Sequence, residues 1–221
     1  MISFSALLRD KRASSASEFA LVLPLLIIFL IGIIDVGRFL WVANSAEKAA
    51  QMGVRYAVVT TPVSAAISSY NFVTSGEVIP GEAVPVSVFG SLTCTYTVKS
   101  GASSCSNCTG MACSSPGANF TTSDNIRFSA LVSYMGKFFS KINRSTDPSN
   151  ENAKIIIVYN NSGLGYAGDP SGLSISPIVT VQMTGFKFTP TLFNFLGSPN
   201  INLPNFQSSL TMEDGQGTTS N

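Results

Sequence analysis

The fold is decided by Phe19–Ile34, a stretch of sixteen residues without a charge that reads FALVLPLLIIFLIGII. As an α-helix it would span about 24 Å, close to the roughly 30 Å of a bilayer's hydrocarbon core. Such a helix is apolar on every face, and a small domain cannot cover it, so we predict a membrane span rather than a core helix. Asp35 and Arg38 follow, three residues apart, where their side chains can form an ion pair. Trp41 suits the membrane interface.

The charges in front of this stretch predict its orientation. Arg9, Lys11 and Arg12 precede it with one acidic residue among them, and positive residues beside the first apolar segment keep that end in the cytoplasm. The rest of the chain is therefore expected on the outer side of the membrane. The alternative is an ordinary secretory signal that is cleaved among the small residues 43–46. The unbroken helical character of residues 35–59 favours the anchored form.

The composition excludes several classes of function. The 221 residues include no histidine, and 13 Lys and Arg balance 12 Asp and Glu. The commonest general base and the commonest neutral metal ligand are therefore missing, and no paired carboxylates, phosphate loop or nucleophile with a base can be assembled. We expect no catalytic site, metal or cofactor. Charged residues make up 11% of the chain, less than half of the ~25% of soluble domains. The balanced charge gives no field that would hold nucleic acid, and without a catalytic site we expect no small-molecule substrate either.

The residues that open the apolar stretch resemble those of a known family. Lys11-Arg12, several small residues and Glu18-Phe19 precede it as in type IV prepilins, and residues 32–38 (GIIDVGR) follow it. Over residues 11–57 the sequence resembles the TadE-like family, the minor pseudopilins of the tight-adherence (Flp, type IVc) pilus. The resemblance implies a non-enzymatic role in pilus assembly. The partners it implies are membrane lipid, a prepilin peptidase, other pilins or minor pilins, and an inner-membrane assembly platform.

The resemblance also implies a processing site. In such prepilins a membrane peptidase cuts on the cytoplasmic side so that the glutamate becomes the fifth mature residue, which assigns the site to Ala13, Ser14, Glu18 and Phe19. The chain departs from the family because Ala13 stands where glycine is usual. After the cut, the amine of Ser14 would neutralise Glu18, within the chain or from a neighbouring subunit. The alternative role of Glu18 is that of a carboxylate favoured by the helix macrodipole.

The apolar helix is expected to continue beyond the membrane as a spine. We predict one helix over Phe19–Val59 that is kinked or locally opened by Pro24. Thr60-Thr61-Pro62 ends this helix, because proline cannot continue it. Asp35 and Arg38, with Glu18 and Pro24, are the candidate assembly residues. Small residues recur at steps of three and four along the outer half: Ala43, Ala46, Ala49, Ala50, Gly53 and Ala57. They would let another helix, or the chain's own exported domain, approach closely.

The remainder of the chain is predicted to form a pilin-like α+β domain with a small antiparallel sheet of three or four strands. The resemblance to the TadE-like family implies that this sheet packs on the spine. Strands are expected at 92–98, 154–159, 176–188 and 206–212, with Gly185 marking a bulge in the third. Asp124 is expected to cap one further amphipathic helix that reaches Ile142, and residues 100–122 are expected to form a loop. The predicted boundaries are a cytoplasmic leader (1–13), a transmembrane and spine helix (14–60) and an extracytoplasmic domain with a cysteine-containing loop (61–221).

Four cysteines belong to the exported part: Cys94, Cys105, Cys108 and Cys113. An even number outside the cytoplasm predicts two disulfides in one of three pairings. The pairing of Cys94 with Cys113 would fasten the loop to its strand, with a stabilisation of roughly 3 kcal/mol. The alternatives are a four-thiolate zinc site and a redox pair at Cys105 and Cys108, but the Ser- and Gly-rich surroundings favour structural bonds.

These features predict a pilin-like minor component of a tight-adherence pilus or a related secretion filament. It would cross the inner membrane once, with the N-terminus in the cytoplasm and the exported domain in the periplasm or outside the cell, as a filament component or as an assembly factor. The alternative is an exported, disulfide-stabilised binding domain that an ordinary signal peptidase releases. An exported enzyme is disfavoured by the residues present.

Overall fold

The computed structural model describes residues 12–143, 150–169, 173–191 and 200–212, and of residues 12–16 the backbone alone. The chain divides into two compact units: Met1–Trp41 with Thr189–Ile201, and Val42–Phe188 with Asn202–Asn221. The first unit contains the apolar stretch, and the second contains the sheet. The α+β class predicted from the sequence, with a long apolar helix and a small antiparallel sheet, is confirmed.

The first helix, α1, is Arg12–Val59. It begins before the predicted start at Phe19 and ends at the predicted Val59, because proline two residues after Thr60 cannot continue a helix. Pro24 was expected to kink or locally open α1, but the helix continues through Pro24 without a break. Among the described residues, one helix segment, Ser17–Val59, is long and apolar enough to cross a membrane.

The described residues contain two further α-helices, α2 (Ala66–Ser69) and α3 (Asn125–Gly136). The carboxylate of Asp124 accepts hydrogen bonds from the N–H groups of the second and third residues after it, at 2.9 and 3.2 Å, so the predicted cap is confirmed. The prediction that this helix reaches Ile142 is wrong. It stops at Gly136, and a 3₁₀ helix, Ser140–Asn143, follows.

The reason for this early end is a close approach of the chain to the last residue of α3. A Cβ atom on Gly136 would lie 2.3 Å from Oδ1 of Asn143. The chain therefore folds back over a residue that has no side chain, and the Asn143 amide donates a hydrogen bond of 3.4 Å to the Gly136 carbonyl. The apolar periodicity continues past this turn, so the turn does not show in the pattern.

Seven strands are described: β1 (Ser91–Thr97), β2 (Ala102–Thr109), β3 (Lys154–Asn160), β4 (Ile178–Thr184), β5 (Lys187–Phe188), β6 (Ile201–Asn202) and β7 (Phe206–Thr211). Five of them form one antiparallel sheet in the order β2-β1-β3-β4-β7. Residues 92, 94, 155, 157, 159, 179, 181 and 183 of its three central strands are buried in alternation, which is the period of a strand with one face in the core. The predicted strands at 92–98, 154–159 and 206–212 are confirmed within a residue.

The predicted loop over residues 100–122 is wrong, because it contains β2 and a 3₁₀ helix, Met111–Ser114. Of the eight residues of β2, only Cys105 is buried. An edge strand that is polar on both faces has no alternation of apolar residues, so the sequence carries no strand pattern there. Cys94 lies on β1, within the predicted strand, and the other three cysteines lie on β2 and in the 3₁₀ helix rather than in a loop.

The long strand predicted over 176–188 is divided in two by Gly185. This residue has a φ of 75°, and a Cβ atom on it would lie 2.1 Å from the carbonyl oxygen of Asn152. A residue with a side chain fits neither the conformation nor the space. The glycine that the sequence marks as a bulge therefore ends β4, and β5 begins after it.

Candidate functional site

The lower part of α1 presents an apolar surface that the rest of the described chain leaves uncovered. Only 6% of its most apolar window is buried. Leu21, Leu25 and Trp41 are 81%, 72% and 78% exposed. A continuous apolar surface of this extent is not stable in water, so it must be covered by lipid or by other helices. By its length and composition, this helix is able to cross a membrane.

Glu18 lies near the start of this surface, on the exposed side of α1. Since the backbone is helical from Arg12, the backbone positions of Ser14 and Glu18 are about one turn apart. The side chains of Ala13 and Ser14 lie outside the described residues. Phe19, the last of the predicted processing residues, is 65% exposed. The helix therefore carries a carboxylate and, beside it, the first of the large apolar side chains.

At the end of the apolar stretch, Asp35 is only 6% exposed. Its Oδ1 atom lies 3.0 Å from Nη1 of Arg38, so the ion pair predicted from their spacing is confirmed. The structure adds Thr191: its backbone N–H donates to the same oxygen at 3.0 Å, and its hydroxyl accepts a hydrogen bond from Arg38. A carboxylate in apolar surroundings needs such partners. No sequence pattern links Thr191 to a residue 156 positions earlier.

The small residues of the outer half of α1 pack against the chain's own domain. Ala46, Ala49 and Ala50 are at most 1% exposed. A Cβ atom on Gly53 would lie 2.7 Å from Sδ of Met135 on α3, so the Met135 side chain packs against α1 at a residue that has no side chain of its own. Of the two roles that the sequence left open for these residues, packing on the exported domain is the one observed.

All four cysteines form disulfides, Cys94–Cys105 and Cys108–Cys113. Cys94 and Cys105 are directly opposite each other in the register of β1 and β2, so the first bond ties the edge strand to its neighbour. The second joins β2 to the 3₁₀ helix after it. The pairing of Cys94 with Cys113 is not formed, and no free thiolate is left for the zinc site or the redox pair.

The titratable groups with shifted pKa values have structural partners. Burial raises the pKa of the Tyr159 hydroxyl, which accepts a hydrogen bond of 3.1 Å from the N–H of Val63. A hydrogen bond from Lys99 and its charge lower the pKa of the exposed Glu151 carboxyl. In the described ranges, no group of three or more His, Cys, Asp or Glu side chains could hold a metal ion. Neither shifted group is part of a cluster that could carry out acid–base chemistry.

Residues 13–55 match the model of a protein family described as TadE-like protein. The resemblance to this family was predicted over residues 11–57, and the match falls within that range. The prediction is therefore confirmed for the N-terminal segment. It includes Glu18, Pro24, Asp35 and Arg38, the candidate assembly residues of α1. No curated protein and no solved structure matches the chain.

Proposed function

We propose that this protein is a non-enzymatic minor pseudopilin that supports assembly of a tight-adherence pilus or a related secretion filament. The observation that carries the proposal is the TadE-like segment, residues 13–55, which coincides with an uncovered apolar helix that begins with a carboxylate. In pilins such a helix has two successive environments, the membrane and the core of a filament. Both are apolar, and both would cover the surface that α1 exposes.

We infer a single pass through the inner membrane, with the N-terminus in the cytoplasm. Arg9, Lys11 and Arg12 precede the apolar stretch, and basic residues in that position retain their end on the cytoplasmic side. The exported domain would then fold in the periplasm or outside the cell. Its two disulfides support this location, because disulfides persist in oxidising compartments.

Processing between Ala13 and Ser14 is the first step that the proposal requires. A prepilin peptidase would cut there on the cytoplasmic side of the membrane and expose the amine of Ser14. The residue before the cut is alanine rather than the usual glycine, but it is also small. The new ammonium would lie one helical turn from Glu18, or would reach the Glu18 carboxylate of a neighbouring subunit.

The pair between subunits gives Glu18 its role in assembly. Inside a bundle of apolar helices, a carboxylate without a partner is costly, and removal of one member of a buried ion pair costs about 3–5 kcal/mol. A cost of that size changes an association constant by about two to three orders of magnitude. The partners of this protein would accordingly be membrane lipid, the prepilin peptidase, other pilins or minor pilins, and the assembly platform of the inner membrane.

The alternative, release of the domain by an ordinary signal peptidase, is disfavoured by the packing of α1. The small residues 43–46, which would form its cleavage site, lie inside a continuous helix. Ala46 has no exposed surface. Cleavage there would cut α1 at the point where its small residues begin to pack in the domain core.

The N-terminus of the mature protein tests processing. Coexpression with a prepilin peptidase should remove residues 1–13 and leave Ser14 as the first residue, as measured by intact mass. An unaltered N-terminus would contradict the proposed processing. An N-terminus beyond Arg38 would support the released domain instead.

Glu18→Gln tests assembly, with Glu47→Gln as the matched control. Both substitutions remove one carboxylate from an exposed position of α1, but Glu47 lies beyond the apolar stretch. We expect both variants to reach the membrane at normal levels with their disulfides formed. Only Glu18→Gln should abolish surface pili in cells that make no other copy. Normal piliation with Glu18→Gln would remove the assembly role of this residue.

A further inference from the structure

The unit that contains the sheet has a groove on its surface of about 1050 Å³. One wall is formed by α2 and the turn after it, the other by residues 115–119, and one end by residues 122–126 at the start of α3. A volume of this size is at the upper limit of small-molecule sites, which measure about 300–1,000 Å³. The proposed role in pilus assembly does not use this groove.

The walls of the groove are tied to each other, so its shape exists before any ligand binds. The carboxylate of Glu77 accepts a hydrogen bond from the Tyr70 hydroxyl on one wall, at 3.1 Å, and another from the Ser115 hydroxyl on the opposite wall. Next to the lining in sequence, the buried Ser64 hydroxyl donates to the carbonyl of Phe120 at 2.8 Å. A groove held in this way loses little conformational entropy when it binds.

The lining is polar but offers no charge to a ligand. None of the sixteen lining residues is Lys or Arg, and Asp124 is the one acidic residue among them. Its carboxylate is already engaged, since it caps α3 and forms an ion pair of 3.1 Å with Arg127. The strongest hydrogen bonds to an ion come from a charged partner, which this lining lacks. The ligand that fits is therefore neutral.

The groups that remain available are hydroxyls and amides. Asn119, Thr122 and Asn125 are exposed in the groove, and within the described residues their side chains make no hydrogen bond. Apolar surface lies beside them: Ile126 is 81% exposed, and the ring of Tyr70 is half-buried. Pyranose rings have the complementary chemistry, with hydroxyl groups around the edge of the ring and C–H groups on its faces.

We propose that this groove binds a neutral oligosaccharide. An extended peptide fits less well, because peptides that bind through their main chain add to the edge of a sheet. None of the lining residues belongs to a strand. The groove is open to solvent, which suits a chain of several sugar units that is held without being enclosed. The saccharide is a ligand that this domain holds, and no reaction on it is implied.

The test is a binding titration with the full-length protein in micelles of a detergent without a sugar headgroup, so that the detergent does not compete. The probes are neutral hexasaccharides of β-1,4-glucose, α-1,4-glucose, β-1,4-N-acetylglucosamine and mannose. A hexamer of galacturonic acid and a neutral peptide rich in Ser and Asn serve for comparison. We expect at least one neutral hexasaccharide to bind in the micromolar to low millimolar range, and the acidic hexamer and the peptide not to bind.

Two neighbouring residues provide a matched pair of variants. Thr122 lines the groove, whereas Thr121 is exposed but does not line it. Thr122→Trp should fill part of the groove and weaken binding by about tenfold or more, which corresponds to about 1.4 kcal/mol. Thr121→Trp should leave affinity unchanged, and both variants should retain the thermal unfolding midpoint of the parent.

Three results would overturn the inference. The first is that no neutral hexasaccharide binds at millimolar concentration. The second is that Thr121→Trp weakens binding as much as Thr122→Trp, which would place the site elsewhere. The third is that the peptide binds in place of the sugars. Because the titration uses the purified chain, each of these results is independent of whether Glu18 supports pilus assembly.

Discussion

The contact between Gly53 on α1 and Met135 on α3 gives the sharpest test of how the assembly helix is joined to the exported domain. A Cβ atom on Gly53 would lie 2.7 Å from Sδ and 2.9 Å from Cγ of Met135. Non-bonded contacts of this kind need about 3.5–4.0 Å, so Met135 would have to move by about 1 Å. It is fully buried, so it cannot move out into solvent without leaving the core.

The magnitude follows from two opposing terms for Gly53→Leu. Replacement of glycine inside a helix stabilises by up to about 1 kcal/mol. Overpacking of a filled core destabilises by about 1–3 kcal/mol, and a side chain with four carbons belongs at the upper end of that range. We therefore expect the free energy of unfolding to fall by about 2 kcal/mol, which lowers the unfolding midpoint of a domain of this size by about 4–8 °C.

The assay is a double-mutant cycle that combines Gly53→Leu with Met135→Ala. The stability of each variant is measured by thermal circular dichroism of the full chain in micelles. Met135→Ala alone should cost about 2–5 kcal/mol because it leaves a cavity. In the double variant the leucine side chain occupies that cavity. The loss of unfolding free energy in the double variant should therefore be smaller than the sum of the two single losses by about 1–3 kcal/mol.

Gly37→Leu is the matched control for this cycle. It lies on the same helix, but nothing is within 4 Å of its Cβ position, so the unfolding midpoint of the exported domain should not change. Strictly additive costs in the cycle would refute the proposed contact. An unfolding midpoint that Gly53→Leu leaves unchanged would refute it too.

Three further outcomes are expected. Tyr159→Phe leaves a buried backbone N–H without its acceptor and should lower the free energy of unfolding by about 1–3 kcal/mol in urea titrations; no loss would mean that water replaces the hydroxyl. Burial raises the pKa of Tyr159, so the unfolded chain loses the hydroxyl proton first as the pH rises above about 10. The free energy of unfolding should therefore fall there by up to about 1.4 kcal/mol per pH unit, and less steeply in the Phe variant. Replacement of the Cys94–Cys105 pair by alanine should cost about 3 kcal/mol and that of the Cys108–Cys113 pair about 2 kcal/mol, because their separations in sequence are 11 and 5 residues; the opposite order in unfolding experiments would contradict the loop-entropy argument.

The parts of this structure that the sequence predicts are those in which the information is local. Phe19–Ile34 is apolar on every face, and a proline follows the end of α1. Asp124 caps α3 through the backbone of its own next turn. β3 is a short run of β-branched and aromatic residues, Ile155 to Tyr159, and such a run predicts a strand without any knowledge of its neighbours. Each of these features depends on residues within a few positions of each other, so propensity and periodicity are sufficient to find them.

The opening residues of α1 also identified the TadE-like segment, because its motif is a short and continuous piece of chain. The strand β2 was missed for the opposite reason. Its side chains are polar on both faces, and it is a strand because β1 supplies the hydrogen bonds of its backbone. Backbone hydrogen bonds between two strands impose no side-chain pattern on an edge strand that packs against no core.

The tertiary structure alone decided which distant groups meet. Cysteine pairing depended on the register of β1 and β2, which places Cys94 opposite Cys105. Asp35 receives a hydrogen bond from Thr191, from a segment that no periodicity connects to α1. The groove is likewise lined by three separate pieces of chain, residues 65–75, 115–119 and 122–126. The sequence determined that this protein has an apolar helix and a disulfide-bonded α+β domain, because those properties depend on local composition and order. The contacts that define its sites depend on distances between residues far apart in the chain, and only the folded chain sets those distances.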